Sequence, residues 1–149
     1  MKTFEAEKDE LKILVVDDHE QLREIIRDSL AYHGYEIEEA GDAEHAMDIL
    51  GDITPDAVVL DVDLPGMSGH ELCARMKENR RLADVPVIIM SGRVDLENRM
   101  MALTAGASKF LSKPFMLAEL LNLVAFFTGT HNGDAWQADV EKVLAAASL

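Results

Sequence analysis

The sequence predicts a doubly wound α/β fold, in which helices cover both faces of a single parallel sheet. Five short apolar segments alternate along the chain with five longer segments whose apolar residues recur at helical spacing. Such alternation is typical of parallel strands joined by right-handed helical crossovers. The chain has 149 residues, of which 48% are hydrophobic. That length and composition predict one globular domain that buries its own core.

Apolar runs bounded by turn or polar residues predict the five strands. Two of these runs end in carboxylates: Leu11 to Val16 leads into Asp17, and Val58 to Leu60 leads into Asp61. The second strand carries several acids, which suit the edge of a sheet. The predicted strands span residues 11–16, 35–40, 58–61, 86–90 and 109–112.

Capping residues and glycines predict where five helices begin and end. Asp42 and Asp95 can cap the second and fourth helices, and Ser68 opens an S-x-x-E capping box for the third. We expect Gly51 to end the second helix and Pro114 to lie in the first turn of the fifth. The predicted helices span residues 19–33, 43–50, 69–79, 96–105 and 116–127. Strands and helices in this order fit the flavodoxin-like strand order 2-1-3-4-5.

The two ends of the chain differ from the domain between them. Residues 1–10 are polar and mostly charged, which predicts a flexible leader. All the elements above fall within residues 11–128, the predicted domain. Residues 129–149 read as a linker followed by an extra C-terminal helix, which Asp134 can cap. One stripe of that helix carries apolar side chains, namely Trp136, Val140, Val143, Leu144 and Ala147.

Charge and composition exclude several classes of protein. The net charge of −14 argues against direct contact with a nucleic-acid backbone. Cys73 is the single cysteine, so an internal disulfide and a cysteine-rich zinc site are both excluded. The sequence has no apolar run of about 18 residues and no apolar segment at its start, so we expect neither a membrane span nor a secretory signal. A cytoplasmic protein is the resulting expectation.

Chemically active side chains follow four of the five predicted strands. Because the carboxyl ends of parallel strands meet at one edge of a sheet, we expect these groups to lie together. Clustered carboxylates repel one another unless a cation joins them, and oxygen ligands favour Mg²⁺, with Mn²⁺ as the alternative. One carboxylate can then act as a nucleophile toward phosphorus, while the hydroxyl and the ammonium bind phosphoryl oxygens. The set comprises Asp17, Asp18, Asp61, Ser91 with its neighbour Gly92, and Lys113.

Each of these residues also has a structural interpretation. Asp17 and Asp18 could form a turn before the first helix, Asp61 and Ser91 could be ordinary strand-end residues, and Lys113 could be solvated. Four independent placements at successive strand ends would be an unlikely coincidence. Their joint placement therefore favours the functional interpretation.

Several segments together resemble the receiver domain of two-component response regulators. The resemblance covers about residues 11–127 and no position that carries the pattern is missing. It implies that a histidine kinase or phosphotransfer protein donates a phosphoryl group to Asp61. The matching segments are Leu14-Val15-Val16-Asp17-Asp18, Leu60 to Gly69, Met90-Ser91-Gly92, Ala105-Gly106-Ala107 and Lys113-Pro114-Phe115.

The resemblance also assigns the surrounding roles. It implies that Asp18 binds Mg²⁺ directly, that Asp17 does so mainly through water, and that Asp63 offers its backbone carbonyl. The residues matching Ser91 and Lys113 bind the phosphoryl oxygens in that family. Ser91 would move toward the phosphoryl group, and an aromatic side chain on the fifth strand, here Phe110, would turn inward. Many members have Tyr at this position, and Phe lacks its hydroxyl.

Two charged side chains flank the predicted site, and the sequence favours simple solvation of both over an acid–base pair between them. Asp63 lies two residues after Asp61, and Arg93 lies two residues after Ser91. As the alternative, a pair between them could control the access of water or of a partner.

The fifth predicted helix is apolar on nearly all sides, which predicts that something besides the core covers it. We expect a homodimer or partner contact built from the fourth helix, the fifth strand and the fifth helix, with the tail involved. Packing of the tail within one monomer is the alternative. The residues assigned to this partner face are Met100, Met101, Leu120, Leu123, Phe127 and Trp136.

Two other functions compete with the receiver. Val58 to Asp63 also fits the hhhDxD pattern of haloacid-dehalogenase-type phosphatases, with Asp61 as nucleophile and Asp63 as general acid. That assignment leaves Asp17 and Asp18 without a role. A flavodoxin-like module that binds a nucleotide or flavin is disfavoured because no glycine-rich phosphate loop follows the first strand.

Overall fold

The structure, a computed structural model, describes residues 10–130, and within them five strands alternate with five helices. The strands are β1 (Lys12–Val16), β2 (Glu36–Ala40), β3 (Ala57–Asp61), β4 (Val87–Ser91) and β5 (Lys109–Ser112). The helices are α1 (Glu20–Tyr32), α2 (Ala43–Asp52), α3 (Gly69–Glu78), α4 (Leu96–Ala105) and α5 (Leu117–Thr128). No helix in this part of the chain is both long and apolar enough to cross a membrane.

The five strands form one parallel sheet in the order β2-β1-β3-β4-β5, which confirms the predicted order. Val16 of β1 is aligned with Leu60 of β3, and Asp61 is aligned with Met90 of β4. Ser91 at the end of β4 is aligned with Ser112 at the end of β5. The polar residues that end or follow these strands therefore share one edge of the sheet.

The core has two layers, one on each face of the sheet. Alternate residues of a strand point to opposite faces, so Leu14 and Val16 pack on one side and Ile13 and Val15 on the other. The first side is covered by α2, α3 and α4, and the second by α1 and α5. Helices on both faces confirm the doubly wound architecture.

Side-chain caps begin four of the helices. Asp42, Ser68 and Asp95 accept hydrogen bonds from backbone N–H groups three residues ahead, at 2.7, 3.2 and 2.9 Å. These caps were predicted. The Nδ1 of His19 accepts from the N–H of Leu22 at 3.2 Å and caps α1 in the same way.

Two predicted helix boundaries are wrong. The second helix does not end at Gly51, because α2 continues to Asp52 and the N–H of Ile53 still donates to the carbonyl of Ile49. A glycine inside a helix is a moderate cost that packing can outweigh. Pro114 lies ahead of the last helix instead of in its first turn, because α5 begins at Leu117 with Met116 as N-cap.

The partner face assigned from the sequence needs a correction. Leu120 and Leu123 are fully buried against the sheet, where they belong to the same core layer as Ile13 and Val15. They are therefore core residues and not part of a docking surface. Phe127 packs at the margin of that layer. The predicted leader, apart from Glu10, and the predicted C-terminal helix with Trp136 lie outside the described residues.

Candidate functional site

Three carboxylates meet at the carboxyl edge of the sheet. Asp61 is the last residue of β3, and Asp17 and Asp18 directly follow β1. Asp17 and Asp61 are buried, whereas Asp18 is exposed. One oxygen from each of the three lies within 4.8 Å of the others. Within residues 10–130 these are the only three acidic, histidine or cysteine side chains that lie close enough together to hold one metal ion.

A lysine completes the charged cluster. Lys113 directly follows β5, and its backbone N–H donates to the carbonyl of Ser91 at 2.8 Å. Its Nζ lies 3.2 Å from Oδ1 of Asp61 and 3.5 Å from Oδ2 of Asp17. The structure therefore brings together the carboxylates and the ammonium that the sequence placed on this edge.

Neighbouring residues hold the Asp17 carboxylate in place. Its Oδ1 accepts a hydrogen bond from the N–H of His19 at 2.8 Å, which leaves Oδ2 facing Lys113. The backbone carbonyl of Asp17 accepts from Nη1 of Arg23 at 2.7 Å. Arg23 is itself held by Glu39 of the edge strand β2, at 3.0 Å.

The edge strand thus supports the site through ion pairs. Arg27 also binds Glu39, at 3.0 Å, so one carboxylate is shared by two guanidinium groups. Burial acts to raise the pKa of Glu39, but hydrogen bonds from Arg27 and Arg23 outweigh burial and lower it. Sequence reasoning missed this support. In the sequence the acids of β2 indicate only an edge strand, and Arg23 lies 16 residues from Glu39.

The environment of Asp61 opposes its ionisation. Burial raises the pKa of its carboxyl group, and the nearby charge of Asp17 raises it further. Lys113 and a hydrogen bond from the backbone of Asp63 only partly offset these effects. A cation bound among the carboxylates would relieve this repulsion. The donor set therefore fits a hard divalent ion that prefers oxygen ligands.

A glycine allows the first turn of α3 to pack directly on the site. A Cβ added to Gly69 would lie 2.2 Å from the carbonyl oxygen of Asp61. The N–H of Gly69 also donates to the carbonyl of Val62 at 2.9 Å. Gly69 entered the sequence analysis only as part of the receiver pattern, and its close approach to Asp61 is a tertiary contact that spacing could not show.

The Ser91 hydroxyl is bonded within its own loop. It accepts from the N–H of Arg93 at 3.0 Å and lies 3.2 Å from the carbonyl of the same residue, to which it donates. Gly92 is exposed, and no other atom lies near the position a Cβ would take. The hydroxyl and the open position beside it lie at the same edge as the carboxylates.

An acid–base pair forms at the mouth of the site, where the sequence favoured two separately solvated side chains. Nη2 of Arg93 lies 2.6 Å from Oδ1 of Asp63, and each side chain is 58% exposed. The pair connects the loop after β3 with the loop after β4. Phe110 of β5 packs against the first core layer, and the guanidinium of Arg99 on α4 lies 5.1 Å from the centre of its ring.

Fold and site together define a flavodoxin-like α/β protein that carries its polar groups at the carboxyl edge of the sheet. Residues 13–125 match the family model described as the response regulator receiver domain. The chain is 41% identical over 111 residues to the response regulator MprA of Mycolicibacterium vanbaalenii. That match covers 74% of this chain and 47% of the relative, so the chain spans about half the length of the curated relatives it matches.

Solved structures agree with the sequence match. A putative response regulator from Chloroflexus aurantiacus J-10-fl is 30% identical, with a TM-score of 0.77, over 81% of this chain and 99% of that one. The BeF3-activated DrrB receiver domain is also 30% identical, with a TM-score of 0.74, over 81% and 99% of the two chains. The chain belongs to the response regulator receiver domain family of two-component signalling. None of these comparisons supports the phosphatase interpretation of Val58 to Asp63.

Proposed function

We propose that Asp61 is the phosphoacceptor of this receiver domain and that a histidine kinase or phosphotransfer protein is the donor. The observation that carries the proposal is the position of Asp61. Its carboxylate lies at a strand end among Asp17, Asp18 and Lys113, with the Lys113 Nζ at 3.2 Å. A cationic group and clustered oxygen ligands around one carboxylate suit the transfer of a charged phosphoryl group.

The reaction is a displacement at phosphorus. A carboxylate oxygen of Asp61 attacks the phosphorus of a phosphohistidine, and an O–P bond forms as the P–N bond breaks. The electron pair of the broken bond stays on the imidazole nitrogen of the donor, which then takes up a proton. The product is an acyl phosphate on Asp61. In this reaction the chain acts as a signalling phosphoacceptor that is modified once.

The donor set fits Mg²⁺, with Mn²⁺ as the alternative. The carboxylates of Asp17, Asp18 and Asp61 and the backbone carbonyl of Asp63 would hold the ion. When bound, the ion would neutralise charge on the phosphoryl oxygens. Magnesium binding at an acidic pocket is typical of the family.

The remaining residues bind the phosphoryl group and change their own contacts when it is present. The ammonium of Lys113 gives up its ion pair with Asp61 and forms one with a phosphoryl oxygen. The Ser91 hydroxyl donates to another oxygen, for which it must give up its two hydrogen bonds to Arg93. Gly92 leaves the approach open. Loss of the Ser91–Arg93 bonds releases the loop that leads into α4.

Release of this loop alters the contacts around α4. Phe110 moves inward as Ser91 turns toward the phosphoryl group, and Arg99 of α4 loses its position over the ring. The face formed by α4, β5 and α5, including Phe127, then becomes the contact for a second copy or another protein. We propose no direct contact with nucleic acid or membrane. We also propose a cytoplasmic location, which the kinase partners of the family support.

Labelling with acetyl phosphate and Mg²⁺ tests the proposal. Intact-mass measurement of the wild type should show one added phosphoryl group that is sensitive to hydroxylamine, as an acyl phosphate is. Asp61→Asn should remain unlabelled. Asp48→Asn, which removes an exposed acid of α2 away from the site, is the matched control and should label normally. Equal labelling of Asp61→Asn and wild type, or none of the wild type, would overturn the assignment.

A further inference from the structure

A groove between α3 and α4 is lined by none of the carboxylates of the phosphoacceptor site and by neither Ser91 nor Lys113. It has a volume of about 880 Å³ and mainly apolar walls. Leu96, Met100 and Met101 of α4 form one wall, and Ala74 of α3 lies on the other. Leu96 is 73% exposed and the two methionines are about half exposed. Long exposed apolar side chains along a groove are typical of a surface that binds a partner.

One of the residues that line the groove contains a buried polar atom without a hydrogen-bond partner in the described part of the chain. His70 is buried at the start of α3 and lines the groove. Its Nε2 lies 3.4 Å from Oδ1 of Asn98 on α4, but its Nδ1 has no hydrogen-bond partner within residues 10–130. A buried nitrogen without a partner costs free energy, which an occupant of the groove could recover.

The charge of the rim indicates the kind of occupant. Glu71 and Glu97 line the groove, and no lysine or arginine is among its lining residues. Glu71 is paired with Arg75, whereas Glu97 forms no ion pair in the described part of the chain. An isologous contact with a second copy would bring two acidic rims together, in a protein whose net charge is −14. A partner with basic residues beside its apolar face fits better.

We propose that the α3–α4 groove binds an amphipathic helix of another protein whose apolar face is flanked by lysine or arginine. The apolar face packs between Leu96, Met100 and Ala74, where the flexible methionines adapt to its side chains. A basic flank pairs with Glu97. Met100 and Met101, assigned from the sequence to a face shared with α5, thus line a groove shared with α3.

A synthetic cationic peptide tests this surface without knowledge of the natural partner. The probe is an amphipathic Leu/Lys peptide of about 15 residues, added to the ¹⁵N-labelled full chain and followed by NMR. Saturable shifts are expected at the amides of α3 and α4 that line the groove and at the imidazole nitrogens of His70. A peptide of the same composition, shuffled to abolish the apolar face, should bind about tenfold more weakly.

Matched variants separate the groove from general charge attraction. Leu96→Gln should weaken binding about tenfold, whereas Leu103→Gln, at a 69% exposed residue of the same helix outside the groove, should not. Glu97→Lys should weaken binding more than Asp48→Lys, which makes the same charge change elsewhere. Shifts centred outside the groove, equal binding of the shuffled peptide, or equal loss in each matched pair would overturn the proposal. Self-association through the same residues without peptide would overturn it in favour of a second copy.

Discussion

The Nζ of Lys113 lies 3.2 Å from Oδ1 of Asp61, although β4 separates the strands that carry these two residues. The lysine side chain therefore reaches across the end of β4 to the carboxylate. It also lies 3.5 Å from Asp17, so one ammonium serves two buried acids. One positive charge for two carboxylates leaves the site electrostatically unbalanced, and this imbalance has measurable consequences.

Replacing Asp61 with asparagine should stabilise the metal-free fold at neutral pH. Burial and Asp17 raise the pKa of Asp61 in the folded state. A raised pKa means that the folded chain binds the proton more tightly than the unfolded chain does. The stabilisation that results is complete below the unfolded-state pKa and is lost as the pH rises through the folded-state pKa. At pH 7 the ionised carboxylate therefore lowers the free energy of unfolding, and Asp61→Asn removes this destabilisation.

Urea unfolding with a chelator present measures this effect. We expect Asp61→Asn to exceed the wild type by roughly 1 kcal/mol at pH 7, with a smaller difference at acidic pH, where the wild-type carboxyl is protonated. Asp48→Asn should leave the stability nearly unchanged. A variant less stable than wild type at pH 7, or a difference that grows on acidification, would contradict the electrostatic account.

Mg²⁺ should raise the midpoint of thermal unfolding of the wild type, because an ion that binds only the folded state stabilises it. Asp18→Asn should reduce this increase while leaving the metal-free midpoint almost unchanged, since Asp18 is exposed. A magnesium titration of wild type, Asp18→Asn and the control Asp48→Asn by differential scanning fluorimetry measures both effects. Equal responses of all three proteins would remove Asp18 from the metal site.

The sequence predicted the strand order and the shared edge, because alternation restricts the topology and parallel strands end together. The sequence could not predict contacts between residues that are distant in the chain. The hydrogen bond from Arg23 to the backbone carbonyl of Asp17 depends on how α1 lies against the sheet. The burial of Leu120 depends on how α5 is rotated about its axis. An apolar sequence on all sides of α5 did not show which residues face the core. Gly51 looked like a helix end because its own preference was considered without the packing around it.

Two glycine-to-alanine substitutions should have opposite effects on stability. The added Cβ in Gly69→Ala would lie 2.2 Å from the Asp61 carbonyl oxygen, a backbone atom that cannot move cheaply. We expect a loss of about 1–3 kcal/mol, together with slower labelling of Asp61. In Gly51→Ala the Cβ meets nothing within 4 Å, inside α2. Because alanine favours the helix, a gain of about 0.5–1 kcal/mol is expected.

Urea denaturation of the two glycine variants beside the wild type measures these changes. Labelling by acetyl phosphate then separates a local effect at the site from a general loss of stability. Gly51→Ala should label at the wild-type rate. If Gly69→Ala proved as stable as wild type, the close approach of α3 to Asp61 would be wrong.

The thiol of Cys73 should be unreactive in the folded protein. Burial raises its pKa to about 11, and its Sγ lies 3.4 Å from the carbonyl oxygen of Ala105. Little thiolate is therefore present at pH 8, and reagent cannot reach it without opening of the fold. Iodoacetamide at pH 8 should modify the chain slowly in buffer and rapidly in denaturant, as followed by intact mass. Equal rates in the two conditions would contradict the buried position.

Breaking the ion pair between Asp63 and Arg93 should shorten the life of the phosphorylated state. The two side chains meet at 2.6 Å across the loops after β3 and β4, two residues beyond Asp61 and Ser91. Because both are exposed, the pair contributes only about 0–1 kcal/mol to stability. The pair is expected to act on the access of water to the site. A bridge across the mouth hinders the approach of the water molecule that hydrolyses an acyl phosphate.

Asp63→Ala and Arg93→Ala should therefore lose the phosphoryl group severalfold faster than wild type, with nearly unchanged unfolding midpoints. The double variant should lose it no faster than the quicker single variant, because each change breaks the same contact. Arg75→Ala is the matched control, since it breaks the exposed pair with Glu71 at 3.1 Å on α3. The measurement is decay of labelled protein after removal of acetyl phosphate. Lifetimes equal to wild type in both single variants would show that the pair does not control water at the site.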